Sequence, residues 1–467
     1  MAHLFISAAH KSSGKTTVAL GLCAALHRRE LAVQPFKKGP DYIDPMWLSL
    51  AADSPCHNLD FYTMESDEIL STASHYIEKA DIGIIEGNKG LYDGLDLDGS
   101  NSNAALASLL CAPVILVLDA RGMTRGIAPL ILGYQAFDRS VNIAGVILNQ
   151  LGGSRHETKL RAVIEHYTDV PVVGAMARNT DLEIIERHLG LIPSNESQAA
   201  GERIAVIGQA VAEQVDLDIL LNIARRAPLP RGSGTWIEDA SHTHDIRIGI
   251  ARDSAFGFYY PDDLLALERA GAELVPFNTL TDTVLPEVDA LFIGGGFPET
   301  RMAELEDNSA LRHAIRDAIE AGLPAYAECG GLMYLARSLT WRGQRREMVG
   351  IIDGDILMHE RPQGRGYVRL SETRDSLWPR PEGSASEIAA HEFHYSGLQN
   401  FNGSGRFAYH VIRGTGIDGR HDGLIYKNLL ACYTHQRDTR QNRWTSRFVN
   451  HIRHVKYASQ SHATASN

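Results

Sequence analysis

The sequence predicts an α/β protein made of two α/β domains in tandem. Its 467 residues exceed one ordinary core, since a domain takes roughly 150 residues. Short aliphatic runs alternate with amphipathic stretches along most of the chain, and this alternation fades once, around residues 224–245. Hydrophobic residues make up 44% of the chain and charged residues 22%, which is globular usage and excludes a disordered or fibrous protein.

The first domain is expected to span residues 1–224 and to contain a parallel sheet. Apolar runs predict its strands, and amphipathic stretches between them predict its helices. The strands are expected at 3–9, 81–87, 112–120, 143–149 and 170–176, and helices at 16–28, 104–110 and 154–167. Continuous apolar strands separated by helices are typical of βαβ units, in which helices cover both faces of a parallel sheet.

Residues 225–245 are predicted to be a linker, because they combine prolines and glycines with many polar residues. A second domain is expected over 246–454. Its first strands are predicted at 246–252, 272–278, 289–296 and 323–329, and after about residue 340 the pattern indicates turns and antiparallel strands. Residues 455–467 are predicted to be a polar, frayed tail.

The charge balance bears on the possible partners. The chain carries 45 basic and 57 acidic residues, a net charge of −12, which argues against non-specific binding to nucleic acid or to an anionic membrane. Five cysteines without a CxxC pair argue against a disulfide framework or a structural zinc site. With no signal-peptide pattern and no run of about 18 apolar residues, we expect a cytoplasmic protein. The sequence carries no indication of oligomeric state.

The segment AHKSSGKTT, residues 9–17, has the order of a phosphate-binding loop: strand, small-residue loop, Gly-Lys-Thr, helix. We expect Gly14, Lys15, Thr16 and Thr17 to bind a nucleotide, with Lys15 reaching the β- and γ-phosphates and the Thr16 hydroxyl binding Mg²⁺. Ala9 stands where the strict motif has its first glycine. The alternative is a chance Gly-Lys-Thr at the start of a helix.

Acidic residues follow or precede other predicted strand ends. Glu86 directly follows a buried strand, and Asp93 lies in the glycine-rich loop after it. Asp41 and Asp44 lie in FKKGPDYIDP beside two lysines. Open α/β sheets bind ligands at the carboxyl ends of their strands, which makes this set a candidate for holding a metal. The alternative is a group of solvated acids in turns.

The second constellation combines a cysteine, a histidine and glycines. Cys329 lies where a predicted strand, PAYAE, meets a predicted helix, GGLMYLARSL, whose N-terminus can lower the thiol pKa. His435 follows an apolar run and is the candidate base. The backbone N–H groups of Gly295, Gly296 and Gly330 are candidates for an oxyanion hole. The other four cysteines are expected to be buried and structural.

The motif HEFHYS places His391 and His394 around an aromatic residue. No third ligand at zinc-like spacing accompanies them. A structural or ligand-contacting loop is therefore preferred to a metal site.

These motifs resemble those of the cobyrinic acid a,c-diamide synthase family, the glutamine-dependent amidases of corrinoid biosynthesis. The resemblance runs over about residues 4–436, through SSGKTT, FKKGPDYIDP, IEGNKGLYDG, LFIGGGFPE, AECGGLMYL, HEFHYS and YTH. The first half also resembles dethiobiotin synthetase, and the second resembles class I-type glutamine amidotransferase domains. The implied fold is a P-loop domain with a parallel sheet followed by an amidotransferase domain.

The resemblance implies roles for individual residues of the first domain. ATP and Mg²⁺ are the implied cofactors, with Thr16, Asp41 and Glu86 as metal ligands and Asn149 reading adenine. Asp44 and Asp93 fall where the family has acids close to the tetrapyrrole carboxylate and its phosphate.

In the second domain the resemblance implies a Cys–His glutaminase, with Cys329 and His435 as its pair, that lacks the usual Glu two residues after the His. Position 437 is Arg, in agreement. Many relatives have His-x-His at this point, whereas this chain has His435-Gln436-Arg437.

The expected function is amidation of the a and c acetate carboxylates of cobyrinate through an acyl phosphate, with ammonia from glutamine. Glutamine and a tetrapyrrole carboxylate are the expected partners. A glutamine-dependent siroheme or sirohydrochlorin amidase is the alternative, because a close branch acts on those macrocycles. A P-loop partitioning or regulatory ATPase is a further alternative, which would leave Cys329 and His435 without a purpose.

Overall fold

The chain divides into two compact units, Met1–Trp236 and Ile237–Asn467. A computed structural model describes residues 2–182, 186–187, 190–196, 199–232, 244–378, 387–403 and 405–465. Each unit is an α/β structure with its own sheet and its own core. The greater part of the predicted linker, residues 233–243, lies outside the described residues.

The first unit alternates strands and helices in the predicted βαβ order. Its elements are β1 (Ala2–Ala8), α1 (Lys15–His27), β2 (Val33–Lys38), α2 (Ile43–Ala52), β3 (His57–Leu59), α3 (Ser66–Glu78), β4 (Ile82–Glu86), α4 (Asn103–Leu109), β5 (Val114–Asp119), α5 (Ile127–Phe137), β6 (Ile143–Leu151), α6 (Ser154–Tyr167), β7 (Val172–Ala177), β8 (Glu186–Arg187), β9 (Gly190–Leu191), α7 (Ala200–Gln214) and α8 (Leu217–Ala224).

Seven of these strands form a parallel sheet in the order β3-β2-β4-β1-β5-β6-β7. The strands are almost wholly buried, since helices cover both faces, and this is why they read as continuous apolar runs. β1 is central, with β4 on one side and β5 on the other. The loops after β1, β2 and β4 therefore leave the same edge of the sheet next to one another.

The second unit mixes parallel and antiparallel strands. Its elements are β10 (Ile246–Ala251), β11 (Phe256–Phe258), α9 (Pro261–Arg269), β12 (Ala272–Phe277), β13 (Ala290–Ile293), β14 (Gly295–Gly296), α10 (Met302–Asp307), α11 (Ser309–Glu320), β15 (Ala325–Glu328), α12 (Gly330–Leu335), β16 (Ala336–Trp341), β17 (Gln344–Glu347), β18 (Ile352–Met358), β19 (Gly364–Glu372), β20 (Glu387–His394), β21 (Ser396–Gln399), β22 (Phe407–Arg413), β23 (His421–Tyr426), β24 (Leu429–Cys432) and α13 (Trp444–Ala465).

Its main sheet has nine strands in the order β12-β10-β13-β15-β24-β23-β22-β19-β20. The first five strands run parallel and the remaining pairs are antiparallel, which confirms the predicted change after residue 340. The two faces of the sheet pack into two cores. The side chains of Trp444, Phe448 and Ile452 on α13 belong to the core that contains Tyr326 of β15.

Two boundary predictions in this unit are wrong. GGLMYLARSL is not one helix, because α12 ends at Leu335 and β16 begins at Ala336, where the chain pairs with β17 and β18. The frayed tail predicted from 455 is also wrong, since α13 continues to Ala465, and the domain end at 454 stays a prediction. In the part of the chain that the structure describes, no helix is long and apolar enough to cross a bilayer.

Candidate active sites

The predicted phosphate loop connects the central strand β1 to the 13-residue helix α1. Gly14 has φ +84°, in the left-handed region that favours glycine, and a Cβ there would also meet the Asn149 side chain. Asn149 Nδ2 donates to the Ser13 carbonyl at 2.9 Å, so this amide supports the loop. Lys15 and Thr16 open α1, where free backbone N–H groups and the helix dipole favour phosphate.

Glu86, at the end of β4, is the centre of the polar cluster beside this loop. Its Oε1 accepts hydrogen bonds from Lys15 Nζ at 2.7 Å and from Thr16 Oγ1 at 2.6 Å. The side chain is fully buried, and its Oε2 has no hydrogen-bond partner. Although burial favours the neutral acid, the ammonium groups of Lys15 and Lys37 and the two hydrogen bonds lower the pKa of Glu86 to about 2. Glu86 is thus a buried carboxylate with one oxygen still to satisfy.

Lys37 links Glu86 to the two aspartates and was missed as a site residue. It pairs with Glu86 across β2 and β4, its Nζ lying 3.3 Å from Glu86 Oε1. The same Nζ lies 2.6 Å from Asp44 Oδ2 and 3.9 Å from Asp41 Oδ2. Although burial disfavours its charged form, these three carboxylates raise the pKa of Lys37 above its ordinary value. A lysine at the end of a buried strand was the only signal for it in the sequence.

Asp41 has a second task, because its Oδ1 accepts the backbone N–H groups of Ile43 at 2.9 Å and Asp44 at 3.2 Å at the start of α2. Burial and the neighbouring Asp44 carboxylate raise the pKa of Asp41, against the effect of Lys37, to about 7.

Asp93 belongs to the loop that lies against the start of the phosphate loop. Its Oδ2 accepts the Gly90 N–H at 2.9 Å, and Leu91 N donates to the Ala8 carbonyl at 2.8 Å. A Cβ on Gly90 would be 2.7 Å from the Ala9 carbonyl oxygen, which explains the glycine there. The structure thus brings Asp93 to the same edge of the sheet as Lys15.

The three predicted metal ligands carry the kinds of oxygen atom that fit a magnesium ion. Thr16 and Glu86 are in direct contact, Asp41 shares Lys37 with Glu86, and the buried Glu86 Oε2 lacks a partner. Hydroxyl and carboxylate oxygens are the ligands that Mg²⁺ prefers. Among the described residues no group of three or more His, Cys, Asp or Glu is arranged to bind a metal, and the predicted set contains only two carboxylates. The ligand roles of these residues and the adenine-reading role of Asn149 stay predictions.

In the second unit, Cys329 occupies a sharp turn between β15 and α12. Its backbone has φ +46° and ψ −98°, a conformation that non-glycine residues rarely adopt. Its N–H donates to the Cys432 carbonyl at 2.7 Å, across the pairing of β15 with β24. His435 follows β24 by three residues and is 3% exposed. The strained turn therefore places the cysteine beside the strand that leads to the histidine.

The glycines predicted for an oxyanion hole lie around the same point. A Cβ on Gly295 would be 2.7 Å from His435 Cε1, and a Cβ on Gly330 would be 3.0 Å from Gly296 N. Side chains at these positions would collide with the histidine or with the backbone. The structure thus brings Cys329, His435 and the three glycines together, and the oxyanion role of the glycines stays a prediction.

The Gly330 N–H at the start of α12 acts to lower the thiol pKa, as predicted, but the net shift is upward. Burial, followed by the Glu299 and Glu328 carboxylates, raises the pKa of Cys329 above its usual value. The hydrogen bond from the Gly330 N–H is smaller in effect than burial and the two carboxylates. Cys329 is therefore a protonated thiol that needs a base.

Sequence reasoning missed Glu328. His435 Nδ1 lies 3.2 Å from Glu328 Oε2, and both side chains are buried. Glu328 Oε1 accepts the Tyr326 hydroxyl at 2.6 Å and the Gln436 N–H at 3.0 Å. The available signal was a glutamate at the end of an apolar strand, since a buried carboxylate needs partners.

Two further predictions about cysteine and histidine are wrong. His391 and His394 lie in strand β20, not in a loop. His391 forms an antiparallel bridge with His435, and their rings stack with centroids 4.9 Å apart. Cys111, predicted to be buried, is exposed at a turn with φ +50°, while the other four cysteines are buried. All five cysteines are free.

Comparisons with known proteins bear on both units. Residues 5–192 match the model of the CobQ/CobB/MinD/ParA nucleotide binding domain, and residues 247–442 match that of the CobB/CobQ-like glutamine amidotransferase domain. A cobyrinate a,c-diamide synthase of Magnetococcus marinus is 47% identical, covering 92% of this chain and 93% of the relative. The chain belongs to the cobyrinate a,c-diamide synthase family. The predicted family and the predicted order of a nucleotide-binding half and an amidotransferase half are thereby confirmed.

Other cobyrinate a,c-diamide synthases match over the same span. That of Methanosarcina acetivorans is 42% identical over 92% of this chain and 91% of its own, and that of Dehalococcoides mccartyi is 40% identical over 92% and 94%. This family member carries both halves on one chain. It is a glutamine-dependent amidating ligase, as its sequence predicted.

Proposed function

We propose that this enzyme amidates the a and c acetate carboxylates of cobyrinate, using ATP and glutamine, in cobalamin biosynthesis. The observation that carries the proposal is the presence of two different and largely buried constellations on one chain, Lys15–Thr16–Glu86 and Cys329–Glu328–His435. The choice of substrate is supported by the relatives described above, which are cobyrinate a,c-diamide synthases.

The first constellation is suited to activating a carboxylate. A free carboxylate is a poor acyl donor, and transfer of the γ-phosphoryl group of ATP would turn it into an acyl phosphate. Lys15 and the N–H groups of the loop hold the phosphates, and Asn149 contacts the nucleotide. We assign Asp44 and Asp93 to the place where the substrate carboxylate would meet the γ-phosphoryl group.

Thr16, Glu86 and Asp41 are the residues that we assign to Mg²⁺. When bound, the ion supplies positive charge against the phosphate oxygens. The unpartnered Glu86 Oε2 supports this assignment.

The second constellation is suited to releasing ammonia from glutamine. Cys329 attacks the side-chain carbonyl, His435 takes the thiol proton, and the N–H groups of Gly295, Gly296 and Gly330 stabilise the oxyanion. The raised thiol pKa supports a base-assisted attack rather than a standing thiolate.

We assign residues 1–224 to the ligase, 225–245 to the linker and 246–454 to the glutaminase, extending the last through α13 to Ala465. ATP, glutamine and the tetrapyrrole carboxylate are the partners of the reaction, which we place in the cytoplasm.

A siroheme or sirohydrochlorin amidase remains the second candidate, because Gln436 and Arg437 follow His435 where many relatives have His-x-His. The test is to incubate the purified enzyme with MgATP and glutamine, together with cobyrinate or with siroheme, and to follow the product by mass spectrometry. Diamidation of cobyrinate is the expected result. Amidation of siroheme and not of cobyrinate would instead identify the enzyme as a siroheme amidase.

ATP hydrolysis without any glutaminase activity would instead indicate a P-loop regulatory ATPase.

A further inference from the structure

The position that normally orients the catalytic histidine of a triad glutaminase holds an arginine in this chain. Arg437 NH2 lies 3.1 Å from Asp262 Oδ2, and its guanidinium lies over the Tyr260 ring. Arg437 has no acceptor atom and cannot take a proton from His435. If His435 is oriented by a carboxylate, that carboxylate comes from elsewhere in the chain.

The carboxylate of Glu328 is in the place required. Its Oε2 lies 3.2 Å from His435 Nδ1, and the two side chains are 3% and 4% exposed. Glu328 is the last residue of β15, directly before Cys329, and does not belong to the segment after β24 that carries the histidine. Glu328, which would orient the base, is thus the direct sequence neighbour of Cys329, which attacks glutamine.

The other oxygen of Glu328 is fixed by two donors. The Tyr326 hydroxyl donates to Oε1 at 2.6 Å and the Gln436 N–H at 3.0 Å. Tyr326 is itself buried in the core beside α13. The carboxylate therefore cannot turn freely, and Oε2 is held toward the imidazole.

We propose that Glu328 is the positioning residue of the glutaminase, taking the part of the missing carboxylate. This inference rests on the proposed glutaminase function of Cys329 and His435. An ionised carboxylate only accepts hydrogen bonds, so it places the imidazole proton on Nδ1. Nε2 of His435 then carries the lone pair that receives the thiol proton.

Protons balance in the attack of Cys329 on glutamine and in the release of ammonia. The thiol proton moves to His435 Nε2 as the bond from Cys329 Sγ to the glutamine Cδ forms. The same proton passes to the departing nitrogen when the C–N bond breaks, which releases NH₃ and leaves a thioester. Water hydrolyses the thioester to glutamate and restores the thiol. The proton on His435 Nδ1 stays on the imidazole throughout, hydrogen-bonded to Glu328 Oε2.

Glu328→Gln is the decisive variant, because the two donors at Oε1 determine how the amide sits. Tyr326 and the Gln436 N–H hold the amide oxygen, which turns the NH₂ group toward Nδ1. His435 is then driven to the opposite tautomer, with its proton on Nε2. The kcat for glutamine hydrolysis should fall by about 10³-fold with KM for glutamine within about threefold, as for a wrong-tautomer triad.

The matched control is Tyr326→Phe, which removes one hydrogen bond from Oε1 and leaves Oε2 facing the histidine. It should reduce kcat by less than about fivefold. Glu328→Asp, which keeps the charge, should retain about tenfold more kcat than the amide variant. Ammonium-dependent synthesis should be unchanged in all three variants, and circular dichroism with a thermal melt equal to the wild type should show that the second unit of each one is folded.

The tautomer is measured directly by NMR of ¹⁵N-histidine-labelled enzyme. The wild type should show the His435 proton on Nδ1, and Glu328→Gln should show it on Nε2. A kcat within tenfold of wild type, or an unchanged tautomer, overturns the positioning role. If Cys329→Ala also keeps its glutaminase, the proposed function itself has failed; if only Glu328→Gln keeps it, the present inference alone has failed.

Discussion

The two candidate sites solve the problem of burying polar chemistry in opposite ways. Beside the phosphate loop, Lys15 and Lys37 face carboxylates at 2.6–3.3 Å, so opposite charges compensate one another inside the protein. Around Cys329, burial keeps the nucleophile neutral, and strain and glycines shape the turn. The first site is charged in advance for a polyanionic ligand, whereas in the second the nucleophile Cys329 gives up its proton only when glutamine is attacked.

This difference leads to different expectations for the two nitrogen sources. Changes at Cys329 should affect only reactions that begin with glutamine. Changes near Glu86 should affect every reaction that needs ATP. The following variants test whether the glutamine-dependent and the ATP-dependent reactions can be lost separately.

Cys329→Ala removes the nucleophile. Glutamine hydrolysis should fall by at least about 10⁴-fold, because nothing else in the site can form the thioester. Synthesis from added ammonium should continue at the wild-type rate, as measured by product formation with each nitrogen source. Cys432→Ala, at a buried cysteine outside the proposed chemistry, is the control. Full glutamine-dependent activity in Cys329→Ala would refute the assignment of the nucleophile.

Glu86→Gln and Asp41→Asn test the charged site. Each removes a negative charge proposed to hold Mg²⁺, and each should reduce synthesis by about 10³-fold with both glutamine and ammonium. Hydrolysis of glutamine, measured without a tetrapyrrole, should persist. Glu157→Gln, in the half-exposed ion pair with Arg161 on α6, should be silent. Undiminished ammonium-dependent synthesis in both variants would remove these residues from the metal site.

Gly295→Ala tests the close packing around His435. The added Cβ would lie 2.7 Å from His435 Cε1, and the displaced imidazole should reduce glutaminase kcat by about 10²-fold. Gly397→Ala in the same unit is the control, since its Cβ would meet only His359 Nε2 at 3.6 Å. Equal activity in the two variants would show that the glycine does not matter for the position of the base.

The smallest expected effect concerns stability. Burial, His435 and Arg437 lower the pKa of His391 well below its ordinary value of 6.5. The unfolded chain binds a proton at this residue below about pH 6.5 and the folded protein does not, so the free energy of unfolding falls as the pH drops below that value. Between pH 7.5 and pH 5 the wild type should lose about 1–2 kcal/mol more than His391→Asn.

Denaturant unfolding at the two pH values measures this loss. His313→Asn, at an exposed position on α11, should behave as the wild type. If His391→Asn shows the same pH dependence as the wild type, His391 is not the source of it.

Much of the fold could be predicted from local pattern. The helix expected at 154–167 is α6, Ser154–Tyr167, because its amphipathic pattern agrees with its packing on the sheet. The segment after Leu335 could not be predicted in this way. Its residues continue a helix-like pattern, yet pairing of β16 with β17 and β18 determines the structure.

The residues of the candidate sites also divide into those that a local sequence pattern predicts and those that it does not. Lys15, Thr16 and Cys329 stand in local motifs that the sequence displays. Lys37 and Glu328 meet their partners only through the register of a sheet, Lys37 against Glu86 and Glu328 against the residues that lead to His435. A contact between distant strands leaves no periodicity in the sequence, and so the strand-end position of each residue was visible beforehand but its partner was not.

We propose that the enzyme takes nitrogen from glutamine at one site and attaches it to an ATP-activated carboxylate at the other. The most direct measurement is a reaction of the purified enzyme with cobyrinate, MgATP and glutamine labelled with ¹⁵N in its side-chain amide, analysed by mass spectrometry. We expect a diamide that carries ¹⁵N at both new amides and forms only when ATP is present. Unlabelled amides, or labelled product formed without ATP, would contradict it.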